Sequence, residues 1–517
     1  MGARRGANQH AAVRHSDITA VGSSAELANL DMSRPHCTLG VQFYMDSTGS
    51  TVATPTAGTL QVQYKTYNTN RYETHPYTID AANPSTLSWT ANTVAVKVNP
   101  TGVDVATHYR VVVIENEDGV PSTIVDPLRY DSFGRQRVSE PTTLFDSKQI
   151  FDNQPVYWDD AQVSGSGTSS SWSVDTASST LGVSASTAGL RMRQTFQRFN
   201  YQPGKSQLHF LTGNLALSGS GSGITTGMAV MDDNNGHGAV MIDGVVNLRR
   251  RSKVTGSVVD TDVPQAEWNA DKLDGTGPSG LVFDGTKAQI FWFDMEWLGV
   301  GSVRMGFVIN GMFVHCHTFH HANIGTTVYM PMPNLPVRYW IENDGTGGAA
   351  TMSHICSTII SEGGRDLHGC LHYFSTGGTH VDAQDANSIY AVLGIRLRTT
   401  HIGQVVDLVH AGMINSTNDD FEWLLMWNPT INGTFTYSDI PDTSLQGATG
   451  ATENTVTGGH IMTGNPAQDN VNIPHTLENA LRLGVAIDGT RDEIVLCVRP
   501  YSANADIEAG IGWREQG

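Results

Sequence analysis

The side chains of this chain best suited to metal chemistry fall in one run at 315–321, HCHTFHH. Imidazole nitrogen and thiolate sulfur are the usual ligands of a tetrahedral ion, but side chains alternate along a strand. His315 and His317 would therefore share one face and Cys316 the other. His320 and His321 reach the same ion only if the chain turns after Thr318. The simpler reading of the run, with His354, His368 and His372 downstream, is polar side chains satisfied at a sandwich rim or a subunit interface. We therefore expect no metal and no cofactor, with His315, His317, His320 and His321 as the weak metal candidates. Asp294 and Glu296 come nearest to the paired carboxylates of a glycoside hydrolase, yet two neighbours on one strand cannot flank a sugar from opposite sides. The acidic turns at Asp232, Asp233, Asn234 and Asn235, and at Asp284, lack the spacing and closing Glu of an EF-hand and read as Asx-type turns. No GxSxG or HExxH occurs, and GSGSG at 219–223 lacks the lysine and following helix of a phosphate loop. No enzyme is expected. Sugar binding without hydrolysis asks less: an exposed aromatic ring with polar groups beside it. Trp158, Trp172, Tyr373 and Trp427 are candidate glycan contacts, each weighed against the commoner role of a core aromatic.

The elements that must position these residues read as strands. The 517 residues are 39% hydrophobic and only 16% charged, with Gly, Ser, Thr and Asn throughout, a composition that suits many short strands joined by tight turns. Alternating runs at 38–44, 60–67, 94–98 and 109–115 predict a small Ig-like β-sandwich over 35–118. Runs at 208–212, 240–247, 288–292 and 303–309, with Asn-Gly hairpin signals at 232–238 and 309–312, predict a central jelly-roll-like domain over 153–362. Runs at 390–398, 421–427, 481–487 and 492–498 predict a C-terminal β-sandwich over 363–517, with 453–470 as a surface excursion. The fold class is thus all-β and multidomain.

Two segments fall outside this pattern. Residues 1–34 read as a flexible basic arm carrying Arg4, Arg5 and Arg14, and 119–152 as an extended linker in which Phe133, Leu144, Ile150 and Phe151 would dock on a neighbour. A second basic cluster, Arg249, Arg250, Arg251 and Lys253, reads as a solvated turn between strands. The formal charge of −19 argues against nucleic acid as a main partner. No apolar run approaches the ~20 residues that span a bilayer. The start has neither a secretory h-region nor, with Gly6 where Ser or Thr is needed, a myristoylation signal, so cytoplasmic synthesis is expected. Five scattered cysteines without a CxxC pair read as buried thiols.

Several long segments also carry a resemblance. QRFNYQPGKSQ at 197–207, RRSK at 250–253, QAEWNADKLDGTGPSG at 265–280, EWLGVGSVRMGFVINGMF at 296–313, HHAN at 320–323 and PNLPVRYWIEN at 333–343 are similar to virion structural proteins of tailed bacteriophages. The first domain resembles the small β modules that open such proteins, and the last their closing domain through IRLR, NPTINGT, IDGTRDEIVL and the terminal WRE. The resemblance implies a virion protein of the tail, fibre or baseplate, assembled in the host cytoplasm, with itself and other virion proteins as partners. A head-surface decoration protein and a host-surface glycan-binding adhesin are the alternatives. No catalytic residue comes with the resemblance; Gly275, Gly277, Gly280, Trp268 and Trp297 read as turn and packing positions.

Overall fold

The computed structural model describes residues 11–28, 36–66 apart from 54 and 56, 72–78, 86–90, 93–116, and 140–516 with short gaps at 387, 418, 469, 474–481 and 503–504. The chain is all-β and multidomain, and every strand pairing among the described residues is antiparallel. Only two single-turn 3-10 helices interrupt it there, Gln265–Glu267 and Thr399–His401. No helix among the described residues is long and apolar enough to cross a membrane. The contacts divide the chain into two units, 1–128 and 129–517.

The first unit packs a six-stranded sheet against a four-stranded one. Its core is built from alternate residues of its strands, including Val41, Phe43, Leu60, Val62, Val98, Tyr109 and Val111. Tyr109 is fully buried, and its hydroxyl accepts the Ala25 N–H at 2.7 Å while lying 2.6 Å from the Val98 carbonyl. Part of the segment read as a basic arm is folded into this unit. Ala11–His15 pairs with His108–Asn116, placing Arg14 opposite Val113, and Ala25–Ala28 pairs with Thr93–Thr101. The physical reason is that an uncovered sheet edge leaves unpaired backbone groups, which a short alternating segment satisfies whatever its charge. Arg4, Arg5 and Phe133 lie outside the described residues.

In the second unit, an eight-stranded and a seven-stranded sheet form the central jelly-roll-like sandwich. Its core holds Phe199, Phe291, Phe293, Phe307 and Tyr339, and each such burial contributes roughly 1.5–3 kcal/mol. The segment read as a linker ends inside this sandwich. Thr142–Lys148 pairs with Ala350–Ser361, and Leu144 packs on the core rather than on a neighbour. Ile150 and Phe151 follow it in an exposed turn, with Phe151 85% exposed. The run at 240–247, read as one strand, is a hairpin: Gly236–Ile242 and Val245–Ser252 pair across Asp243 and Gly244, both at positive φ. Asp-Gly is the turn such a tight connection favours.

A five-stranded and a six-stranded sheet form the C-terminal sandwich, around Tyr390, Leu393, Phe421, Leu496, Ile511 and Trp513. The two sandwiches of this unit meet along a seam where Phe196 stands edge-on to Trp427 at 5.1 Å. There Lys205 pairs with Asp366, and Asp159 accepts the Ile487 N–H, both at 2.7 Å. Two readings change here. Of the run at 481–487, the described residues 482–487 are irregular chain that buries Leu483 and Val485, and within the supposed surface excursion His460–Ala467 is a strand paired with Phe421–Trp427.

Candidate functional site

The histidine run lies on Met312–Phe319 and the turn after it, and three of its four rings take separate partners. His315 lies 2.8 Å from the Thr318 hydroxyl. His317 packs edge-on to Phe319 at 4.6 Å. His321 stacks on Tyr329 at 3.8 Å, with Nδ1 2.6 Å from the Gly301 carbonyl. His320 is exposed. Burial depresses the basicity of His315, His317 and His321, the latter two to about 4. No group of three or more His, Cys, Asp or Glu among the described residues is arranged to hold a metal ion. Asp294 and Glu296 do share a face, and Arg304 on the neighbouring strand donates to both, at 2.7 and 3.0 Å. Asp232 accepts the N–H groups of Asn234 and Asn235, both at 2.8 Å, and Asp284 that of Thr286 at 3.0 Å.

Two of the four aromatic candidates, Trp158 and Trp427, are core residues. Trp158 is 2% exposed, donates to the Ser147 hydroxyl and packs at a tilt against His354 and Tyr339. Trp427 is 8% exposed. Trp172 is half-buried and donates to the Gln149 carbonyl at 2.6 Å. A large ring recovers more free energy from burial than from water, and nothing in local sequence marks which face of a strand is covered.

Tyr373 is the exception, at 59% exposed. It lies on Cys370–Ser375, beside Ala505–Gln516, whose sequence ADIEAGIGWREQ explains the surface. Ile507, Ala509, Ile511 and Trp513 alternate into the core, which leaves Glu508, Gly510 and Gly512 on the outer face. The third strand, Val405–Asn415, completes two rows across the sheet: Tyr373, Gly512 and His410, then Ser375, Gly510 and Gly412. A β-bulge after Leu408 brings His410 onto this face.

The glycines are required because the rings occupy the space their side chains would fill. A Cβ on Gly510 would come within 2.1 Å of the Tyr373 hydroxyl, and one on Gly512 within 2.1 Å of His410 Cε1. The two rings are near-parallel, 12° apart, with centroids separated by 6.0 Å. Beside them runs a shallow groove of about 430 Å³, with Ser375, Thr376, Glu508 and Ile414 along it. One end of the strand that carries His410 is fixed by Asp407, which accepts from Arg365 at 2.6 Å and from Gln516 at 2.6 Å and faces Arg482 at 3.4 Å. Sequence reasoning found Tyr373 and missed His410, Gly412, Gly510 and Gly512. The available signal was the Gly-Ile-Gly alternation at 510–512, which strips one face of a strand of its side chains.

Residues 9–118 match the family model of a domain of unknown function, DUF7265. No curated protein matches the chain. Among solved structures, the legume lectin-like domain from Entamoeba histolytica is similar over 42% of this chain and 96% of its own, at 8% identity and a TM-score of 0.26. The endo-1,3-beta-glucanase from Streptomyces sioyaensis is similar over 43% and 97%, at 10% identity and a TM-score of 0.28. The binding domain of botulinum neurotoxin serotype C1 is similar over 72% and 98%, at 10% identity and a TM-score of 0.27.

Proposed function

We propose that the protein is a non-enzymatic surface-recognition protein whose C-terminal sandwich binds a polysaccharide on the Tyr373–His410 platform. The observation that carries this is the pair of near-parallel rings laid over a glycine strip at the edge of a polar groove. An aromatic ring presents an electron-rich face to the C–H groups of a pyranose, and Ser375, Thr376 and Glu508 offer hydroxyl and carboxylate partners for sugar hydroxyls.

The setting we propose is the virion of a tailed bacteriophage, at the tail, fibre or baseplate, which the resemblance of the central segments supports. There many copies would act together, so a weak single site suffices for firm attachment. Exposed Ile150 and Phe151, above a groove formed with Asp146, Lys148 and Gln154, favour an assembly contact with a neighbouring virion protein.

Glycan arrays probed with the full chain, followed by calorimetry on the best hit, test the reading. Tyr373→Ala is expected to weaken binding about 10-fold, equivalent to ~1.4 kcal/mol. It should change stability by no more than about 0.5 kcal/mol, since the ring is exposed. Gly512→Val, which displaces His410, is expected to do the same to binding. Silence across host-surface polysaccharides, or binding indifferent to both substitutions, would overturn the proposal.

A further inference from the structure

The run Arg249-Arg250-Arg251 is strand rather than solvated turn, within Val245–Ser252, and its alternation splits the three charges. Arg249 and Arg251 face the neighbouring strand, pairing with Asp262 and Asp260, each at 2.7 Å. Arg250 lies on the other face, the one from which Val246 and Leu248 enter the core. Its guanidinium sits over the Phe319 ring at 5.7 Å and donates one bond, to the Thr261 hydroxyl at 3.1 Å. No carboxylate among the described residues pairs with it, and burial lowers its basicity.

Beside Arg250, His321 and Tyr329 are stacked and nearly buried, at 5% and 7% exposed. His321 Nε2, the Tyr329 hydroxyl and Arg250 Nε have no hydrogen-bond partner in the protein. All three side chains line one cavity of about 270 Å³. Val254, Val259 and Ile324 line the same cavity and are exposed. The other titratable groups nearby are His237, with His209 behind it, His320 and Tyr201, and none of them is a carboxylate that would answer the arginine. A half-buried cation without a counter-ion, among unpartnered polar atoms and below an apolar rim, suits one chemistry: a carboxylate on a short hydrocarbon tail.

We propose that this cavity is a binding site for a small monocarboxylate, its acid group on Arg250 and Tyr329 and its tail against Val254, Val259 and Ile324. Because the Gly301 carbonyl holds the proton of His321 on Nδ1, Nε2 is free to take up a second proton as the anion arrives. Binding is therefore linked to proton uptake and tightens as pH falls. The site is separate from the aromatic platform and does not depend on it.

Calorimetry and thermal-shift measurements on the full chain with butyrate, and with butyramide as its neutral isostere, test the site at about pH 6 and about pH 8. Butyrate is expected to bind and raise the unfolding temperature, more at the lower pH, while butyramide leaves the protein unchanged. Arg250→Gln should weaken butyrate at least ~10-fold. Should that variant fail to fold, Val259→Trp, at an exposed position of the rim, should abolish binding by filling the cavity with Arg250 intact. Equal responses to acid and amide, no response to either, or full butyrate binding in the variants would overturn the site.

Discussion

Taking the pH from about 7 to about 5 is expected to remove about 6 kcal/mol from the stability of the central sandwich, most of what a domain of this size holds. Three histidines with no access to water account for this loss, and His317 and His321, which burial holds at about 4, add to it. His209 stacks on Phe293 at 4.2 Å, His354 on Tyr339 at 4.0 Å, and His237 lies among Phe293, Phe319 and Tyr329. Burial lowers His209 to about 3 and drives His237 and His354 well below the ordinary imidazole range. In the folded chain these rings stay neutral, while in the unfolded chain they take up protons below about pH 6.5, so their contribution is complete above that value and lost as pH falls. Each costs about 1.4 kcal/mol per pH unit.

Asp492 opposes them. Burial raises it to about 6, so its contribution is complete below the ordinary carboxylate value and lost as pH rises through 6. Acidification to about pH 5 returns only about 1–2 kcal/mol through this group. Guanidinium denaturation across this range should show a net uptake of protons on unfolding, with His237→Leu removing about one of them. Stability that stays flat down to about pH 5 would rule this out.

Asp407→Ala is expected to cost about 3–5 kcal/mol and to lower the unfolding temperature by about 10 °C. Asp407 is the carboxylate between Arg365 and Arg482, whose side chains are 14% and 10% exposed, and it also accepts from Gln516. Without it two guanidinium groups remain buried with their mutual repulsion uncompensated. Desolvation, and Arg365 beside it, already depress Arg482 to about 10. Because Asp407 stands on the strand that carries His410, the same substitution should weaken glycan binding. Asp407→Asn keeps the shape and removes the charge, so a smaller loss there would assign the difference to packing. A melting curve for Asp407→Ala that overlays the parent would show that the cluster is solvated.

What the sequence revealed, and what it concealed, follows from the range over which each signal acts. Alternation is local, and the expected strands at 303–309 and 421–427 coincide with Val303–Ile309 and Phe421–Trp427. Asp243-Gly244 carries the same local turn chemistry, yet the apolar run around it reads as one strand. The burial of Leu483 and Val485 in irregular chain depends on a second sandwich, which no local pattern encodes. The platform was half legible for the same reason. Tyr373 is visible in the sequence as a candidate aromatic, whereas its partnership with His410 requires a bulge and the pairing of three strands distant in sequence. Likewise the inward turn of Arg250 depends on which face of its strand is covered, not on the charge of its neighbours.

The strand order has a kinetic meaning. Ala505–Gln516 pairs with Cys370–Ser375, Val381–Ala383 and Val405–Asn415, all of which precede it by a long stretch of chain. In the central sandwich, Ala350–Ser361 likewise pairs with Thr142–Lys148, Ser178–Val183 and Gln207–Ser218. On a ribosome, each set of early strands must therefore wait, edges open, for the segment that joins them. Folding of both sandwiches should be slow and governed by contact order, and the waiting edges are where nascent chains would stick to one another.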